Sequence, residues 1–225
     1  MMSKVINLKA NNSSIYDDIT QSYFSYYNGP FPVELHKTPF GKEEYMYKSN
    51  GYVYLSTPSN IQSIIRNLES FTISFWTILT SSTVGTIISF ASSSVYSYGF
   101  LIDTIFNIYK EHWPSQWYYE FKSESKNEDS WNYIEIYFDC LNNSTKQYII
   151  SISVNGKFSE NKYDFQFGYI SGARLLTWLG APGNYGNQYN SYLYDFSIHD
   201  NILHTKSFSL SHYNLFDSDK NLYGK

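Results

Sequence analysis

The sequence predicts an all-β protein, a sandwich of two antiparallel sheets. Three observations carry that expectation: the composition, a two-residue hydrophobic period in several segments, and clusters of turn-forming residues between them. Tyr, Phe and Trp make up 20% of the 225 residues, and Ser with Asn close to a quarter. Aromatic and β-branched residues suit a pleated, half-buried surface, whereas Ser and Asn favour turns. Helix formers such as Ala, Glu and Leu are scarce.

Residues 1–40 lack a regular period and are rich in aromatics, including Tyr23-Phe24-Ser25-Tyr26-Tyr27 before Asn28-Gly29-Pro30. They are expected to form an arm or first strand that wraps the sandwich or docks on a partner. A short strand follows at Tyr52–Leu55, and one helical turn at Ile61–Leu68. Phe71–Ile78 alternates cleanly, with Phe71, Ile73 and Phe75 on one face and Thr72, Ser74 and Trp76 on the other. Trp131–Asp139 groups Ile134, Ile136 and Phe138 opposite Tyr133, Glu135, Tyr137 and Asp139. Gln147–Val154 aligns Tyr148, Ile150, Ile152 and Val154 and stops at Asn155-Gly156. That dipeptide between alternating segments is a strong hairpin signal, because both residues tolerate positive φ. Further strands are expected at Gly85–Phe90, Gly99–Asp103, Trp117–Lys122, Leu175–Gly180 and Tyr192–His199, with a short helix near the C-terminus. Many antiparallel strands with one apolar face pack as two sheets about 10 Å apart, in a sandwich or jelly roll.

The bulk properties narrow the function classes. A chain of 225 residues fits one domain and can bury a core without staples. The single Cys140 excludes an intramolecular disulfide and any multi-cysteine zinc site; a buried, inert thiol is expected there. A net charge of −4 without a basic run argues against nucleic-acid binding. No segment reaches the roughly 18 apolar residues of a membrane span. Residues 1–10 lack the apolar core of a secretory leader, which points to work inside a cell or release by lysis.

Laid out in order, several segments resemble a known family. Gly41-Lys42-Glu43-Glu44-Tyr45 and Tyr52-Val53-Tyr54-Leu55 resemble its first two strands, and Phe71-Thr-Ile-Ser-Phe-Trp76 matches its next strand residue for residue. Gly85–Ser89, Trp131, the Val154-Asn155-Gly156-Lys157 hairpin and Leu193–Leu203 follow in the family's order. The chain thus resembles the laminin-G-like (LamG) jelly rolls of the concanavalin A-like lectin/glucanase superfamily. The resemblance spans residues 41–205, and it implies an arm at 1–40 followed by a concanavalin A-like jelly-roll domain at 41–225. It departs from the family at two places. Tyr47-Lys48 stand where the family has Asp-Gly, and Tyr194 replaces the first acidic residue of the closing strand, leaving Asp195.

Glucanases share this fold, so hydrolysis is the first chemistry to weigh. A retaining pair needs carboxylates about 5–5.5 Å apart. The Glu-x-Asp-x-Glu strand of those enzymes is missing. Glu135 and Asp139 lie four residues apart on one strand, ~13 Å at about 3.3 Å per residue, and are expected to be solvated on its outer face. His36, His112, His199, His204 and His212 form no short metal-ligand spacing; His199 and His204 are expected at the surface. Gly183-Asn184-Tyr185-Gly186 is no phosphate loop, because no Lys-Ser/Thr or helix start follows. Calcium is left open as a cofactor, with Asp103, Asp139, Asn142 and Asp195 as available oxygen donors.

Glycan binding has better footing, since sugars stack a C–H face on aromatic rings while amides and carboxylates read hydroxyls. Two stretches combine these groups: Tyr109–Tyr119, with Trp113 and Trp117, and the turn carrying Asn184, Tyr185, Asn187 and Tyr189. The expected role is therefore a non-catalytic binding or assembly module. Its expected setting is a virus or phage virion, as a capsid decoration or fibre component touching surface glycans, virion proteins or other copies of itself. A lectin domain of a cellular protein and a divergent glycoside hydrolase are the alternatives.

Overall fold

The fold is seen in a computed structural model describing residues 3–27, 31–48, 54–79, 85–93, 96–102, 108–113, 119–121, 127, 129–145, 147–159, 161–166, 178–179 and 191–210. The first strands are β1 (Lys4–Ala10), β2 (Ile15–Asp17), β3 (Ser22–Tyr23), β4 (Ser25–Tyr27), β5 (Val33–Lys37), β6 (Glu43–Lys48) and β7 (Tyr54–Ser56). Helix α1 (Ser59–Asn67) precedes β8 (Phe71–Leu79), β9 (Gly85–Ser93), β10 (Tyr96–Ile102), β11 (Ile108–Trp113) and β12 (Tyr119–Phe121). The chain continues through β13 (Ser130–Asn142), β14 (Gln147–Val154), β15 (Lys157–Phe158), β16 (Tyr163–Gln166), β17 (Trp178–Leu179) and β18 (Tyr192–His199).

These strands make an all-β jelly-roll sandwich of two antiparallel sheets. The larger runs β15-β14-β13-β8-β18-β1-β2-β3, with β16 beside β14, β6 also on β18, and β5 on β6. The smaller runs β12-β11-β10-β9-β17-β7-β4. Residues 4–37, expected to be largely irregular, instead carry β1–β5. Of these, β1 pairs with β18 and β4 with β7. The arm's alternation is short and interrupted by polar turns, so its strands are visible only once their partners are in place.

The two-residue period sets the register. Ile73 lies opposite Ile136 and Ile198, Ile136 opposite Ile152, and Ile198 opposite Ile6, giving one isoleucine row across five strands. Phe71 lies opposite Phe138, and their rings stack at 4.3 Å. All of these side chains are buried in the core, and burying each contributes ~1.5–3 kcal/mol. Ile61 and Ile65 of α1, one turn apart, enter the same core. Asn155 and Gly156 both take positive φ, 52° and 80°, and form the expected hairpin turn. At Gly156 a Cβ would sit 2.3 Å from the carbonyl oxygen of Phe208, so the site is closed to other residues on two grounds.

The opposite face of the larger sheet corrects the sequence reading. Thr72, Ser74, Trp76, Tyr133, Glu135, Tyr137, Ser153 and Ser197 are buried as well, so this face is not a solvated one. Residues 201–210 cross it as a strap. Thr72 Oγ1 donates to the Asn201 carbonyl at 2.8 Å and accepts from the Leu203 N–H at 3.1 Å. The Phe208 N–H donates to the Gly156 carbonyl at 2.8 Å. On the other side of this face, the Phe40 ring meets Trp76 edge-on at 5.7 Å.

Candidate functional site

The described residues form a cleft at a fork in the larger sheet. Along one edge of β18, Tyr192 and Leu193 pair with Lys48 and Tyr47 of β6. From Ser197 onward the same edge pairs with β1, through Asn7, Ile6 and Lys4. Between these ladders, Tyr194, Asp195 and Phe196 have no strand partner on that side among the described residues. Asp195 takes a positive φ of 49°, and the register with β8 shifts between Tyr194 and Ser197. This bulge re-aims β18 and lets β1 and β6 diverge, the kind of local kink that bulges produce. β1 then continues to β2, while β6 turns toward β5.

The cleft has a volume of about 260 Å³. Leu8, Met46, Tyr47 and Leu193 give it an apolar base, and Lys9, Glu44 and Asp195 supply charge. Tyr45 also lines it and is 42% exposed. The Tyr194 hydroxyl donates to Glu44 Oε2 at 3.1 Å. Burial, and then the neighbouring Glu44 and Asp195 carboxylates, push that hydroxyl above its ordinary pKa, so it stays protonated and donating. Lys4 Nζ reaches Asp195 Oδ1 and Asn7 Oδ1, each at 3.4 Å. The site thus offers carboxylate acceptors, an ammonium donor, a stretch of strand edge without a ladder partner among the described residues, and an aromatic wall over an apolar floor.

A second aromatic group lies nearby but is closed by the chain itself. His36 and Tyr192 pack at 4.1 Å, and Lys48 Nζ sits 4.2 Å over the Tyr192 ring. The Tyr192 hydroxyl donates to Glu34 at 2.8 Å and, with Lys48, holds that carboxyl below its ordinary pKa. Trp131 Nε1 donates to the Lys37 carbonyl at 3.1 Å. These contacts fasten β5 and the following turn to the sheet, and they occupy the polar groups that a ligand would need.

The catalytic candidate fails on geometry. Glu135 is fully buried rather than solvated, and it accepts from Tyr133 at 3.1 Å, from Tyr137, and from Ser153 at 3.3 Å. His204, itself part of the strap, is still one-third exposed as a surface residue would be, but its Nδ1 turns inward to lie 3.0 Å from Glu135 Oε2. Asp139 is exposed at the other end of the strand segment, where it accepts from Ser70 at 3.3 Å. No substrate reaches the first carboxylate while the second is in solvent. His199 also departs from its expected surface position: it is half-buried against Ser74 Oγ at 3.3 Å. Burial, followed by the Lys4 charge, lowers its pKa to about 4. Cys140 is a free, partly buried thiol at the core margin.

Of the residues read from the sequence as glycan contacts, Trp113 ends β11, with its backbone opposite Ser97. Trp117, Asn184, Tyr185, Asn187 and Tyr189 lie outside the described residues. Of the oxygen donors considered for calcium, Asp103 lies outside them too. Asn142 Oδ1 is engaged by Ser144 and Thr145, Asp139 by Ser70, and Asp195 by Lys4. Among the described residues no three His, Cys, Asp or Glu side chains are grouped to hold a metal ion. Sequence reasoning missed Lys9, Glu44 and Tyr45, because the cleft joins strands almost 200 residues apart in sequence. A signal was present, however: both departures from the LamG pattern, at Tyr47 and Tyr194, fall on its lining.

Comparison with solved structures finds the same sandwich fold in other proteins. Domain 4 of AbnA, a GH43 extracellular arabinanase from Geobacillus stearothermophilus solved with arabinotriose, aligns with a TM-score of 0.60 at 12% identity, covering 88% of this chain and 92% of that one. The binding domain of Paraclostridial Mosquitocidal Protein 1 aligns at 0.56 and 13% identity, over 89% of this chain and 49% of that one. The botulinum neurotoxin DC binding domain, solved in complex with SialylT, aligns at 0.53 and 22%, over 90% and 49%. The chain therefore spans about half the length of these toxin domains. No protein-family model and no curated protein sequence matches the chain.

Proposed function

We propose that this chain is a non-catalytic carbohydrate-binding module on a laminin-G-like sandwich, with the fork cleft as its sugar site. The observation that carries the reading is the cleft's makeup: an exposed Tyr45 ring, carboxylate and ammonium groups at the rim, and an apolar floor. That combination satisfies both sides of a sugar ring, its C–H face and its hydroxyls. The arabinotriose and SialylT complexes of fold neighbours support the same class of ligand. In a virion, such a module would present this cleft to surface glycans; co-sedimentation with particles tests that setting separately.

The test is a glycan array followed by calorimetry on the full chain. Binding in the micromolar-to-millimolar range is expected, with Tyr45→Ala weakening it about tenfold, ~1.4 kcal/mol, and Glu44→Gln reducing it as well. A wild-type chain that binds no glycan, or variants that bind unchanged, would rule the site out. No release of reducing ends is expected from any bound oligosaccharide; release would favour a divergent glycoside hydrolase.

A further inference from the structure

We infer that the cleft takes one terminal sugar ring end-on, so that the module reads chain ends and not the interior of a polysaccharide. The inference rests on the carbohydrate reading above and concerns which part of a glycan enters. The first argument is size. At about 260 Å³ the cleft falls below the roughly 300–1,000 Å³ of sites that enclose drug-sized ligands. It accommodates one ring with its substituents, not a row of rings.

The second argument is topology. The unpaired edge of β18 is limited to Tyr194, Asp195 and Phe196, about 10 Å of strand at ~3.3 Å per residue. At one end of this gap β6 closes against Leu193, and at the other β1 closes against Ser197. A chain threaded along β18 meets a strand at both ends, whereas a ring entering between the diverging β1 and β6 meets neither. The third argument is chemical layering. Leu8, Met46 and Leu193 lie with Tyr47 as the apolar part of the lining, and Lys9, Glu44 and Asp195 provide its charged groups. One ring can place a C–H face on the former and its hydroxyls against the latter. Among the described residues, the lining supplies one such set of apolar and charged groups.

Calorimetry with arabinose, galactose and glucose oligomers of one to five rings tests the inference on the intact chain. Affinity per molecule is expected to stay within about threefold across the series that binds, and the matching polysaccharide, having few ends, should bind poorly per ring. Affinity rising more than tenfold from one ring to three would overturn end-on binding while leaving the carbohydrate reading in place. No binding in any series would overturn both. Ala10→Phe, which fills the slot from β1, should abolish binding of the single ring. Lys9→Ala, at a partly buried strand position, provides the second variant and should weaken all lengths by the same factor.

Discussion

At the residue scale, Glu135 shows how a sequence pattern can be read correctly and its environment misjudged. Its alternation with Ile134 and Ile136 places it on the face away from the sandwich core, but that face is itself covered. A carboxylate without exposure survives there because three hydroxyls and His204 surround it. Removing the histidine leaves a buried polar group short of a partner. His204→Ala is accordingly expected to cost about 1–3 kcal/mol in urea unfolding, with Glu135→Gln less damaging than Glu135→Ala because it keeps acceptor capacity. His199 gives a pH prediction with a definite sign. Its folded pKa of about 4 lies below the unfolded value of 6.5, so the unfolded chain takes up the proton first. Stability is therefore retained above pH 6.5 and lost as the pH falls toward 4. Discounted for the ring's partial exposure, the loss is on the order of 1–2 kcal/mol. Denaturant midpoints between pH 7.5 and 4.5 check this, and His199→Gln should flatten the slope.

At the element scale, the strands with long, clean alternation were legible in the sequence. Phe71–Ile78, Trp131–Asp139 and Gln147–Val154 all form as expected, because a one-residue slip would turn every apolar side chain out of the core. The Asn155-Gly156 turn was legible for the same local reason, since it needs two residues that accept positive φ. Ile73→Ala, in the middle of the isoleucine row, should cost ~2–5 kcal/mol by thermal or chemical unfolding. Gly156→Ala should destabilise on account of both its φ and the Phe208 carbonyl, and it should loosen the strap more than the hairpin. Hydrogen exchange would report this as lost protection at Phe208 and Leu203, with Tyr133 and Val154 less affected. The strap itself was not legible. Only Ser207–Leu210 alternates, too short a run to announce an element, and the attachment rests on isolated hydrogen bonds, among them two to Thr72 and others to Glu135, Gly156 and Phe158.

At the scale of the whole molecule, the fold class followed from composition and period, but the cleft did not. A pocket formed where two strands leave a shared neighbour depends on the divergence of β1 and β6 and on one left-handed residue, Asp195. No local pattern encodes that divergence. Only Tyr47 and Tyr194, where the sequence departs from the LamG pattern that it otherwise resembles, marked the place. The architecture then assigns its tasks by position. The isoleucine and phenylalanine rows hold the sheets together, the strap and the 38–42 turn seal the outer face, and among the described residues the fork stays uncovered, where the proposed ligand would enter.

The most direct test of this account is a heteronuclear NMR titration of the full chain with the sugar that binds in calorimetry. The largest backbone shifts should fall on Leu8–Ala10, Glu44–Tyr47 and Tyr194–Phe196, and they should disappear in Tyr45→Ala. Saturable shifts confined to other parts of the chain, with these three segments unmoved, would contradict it.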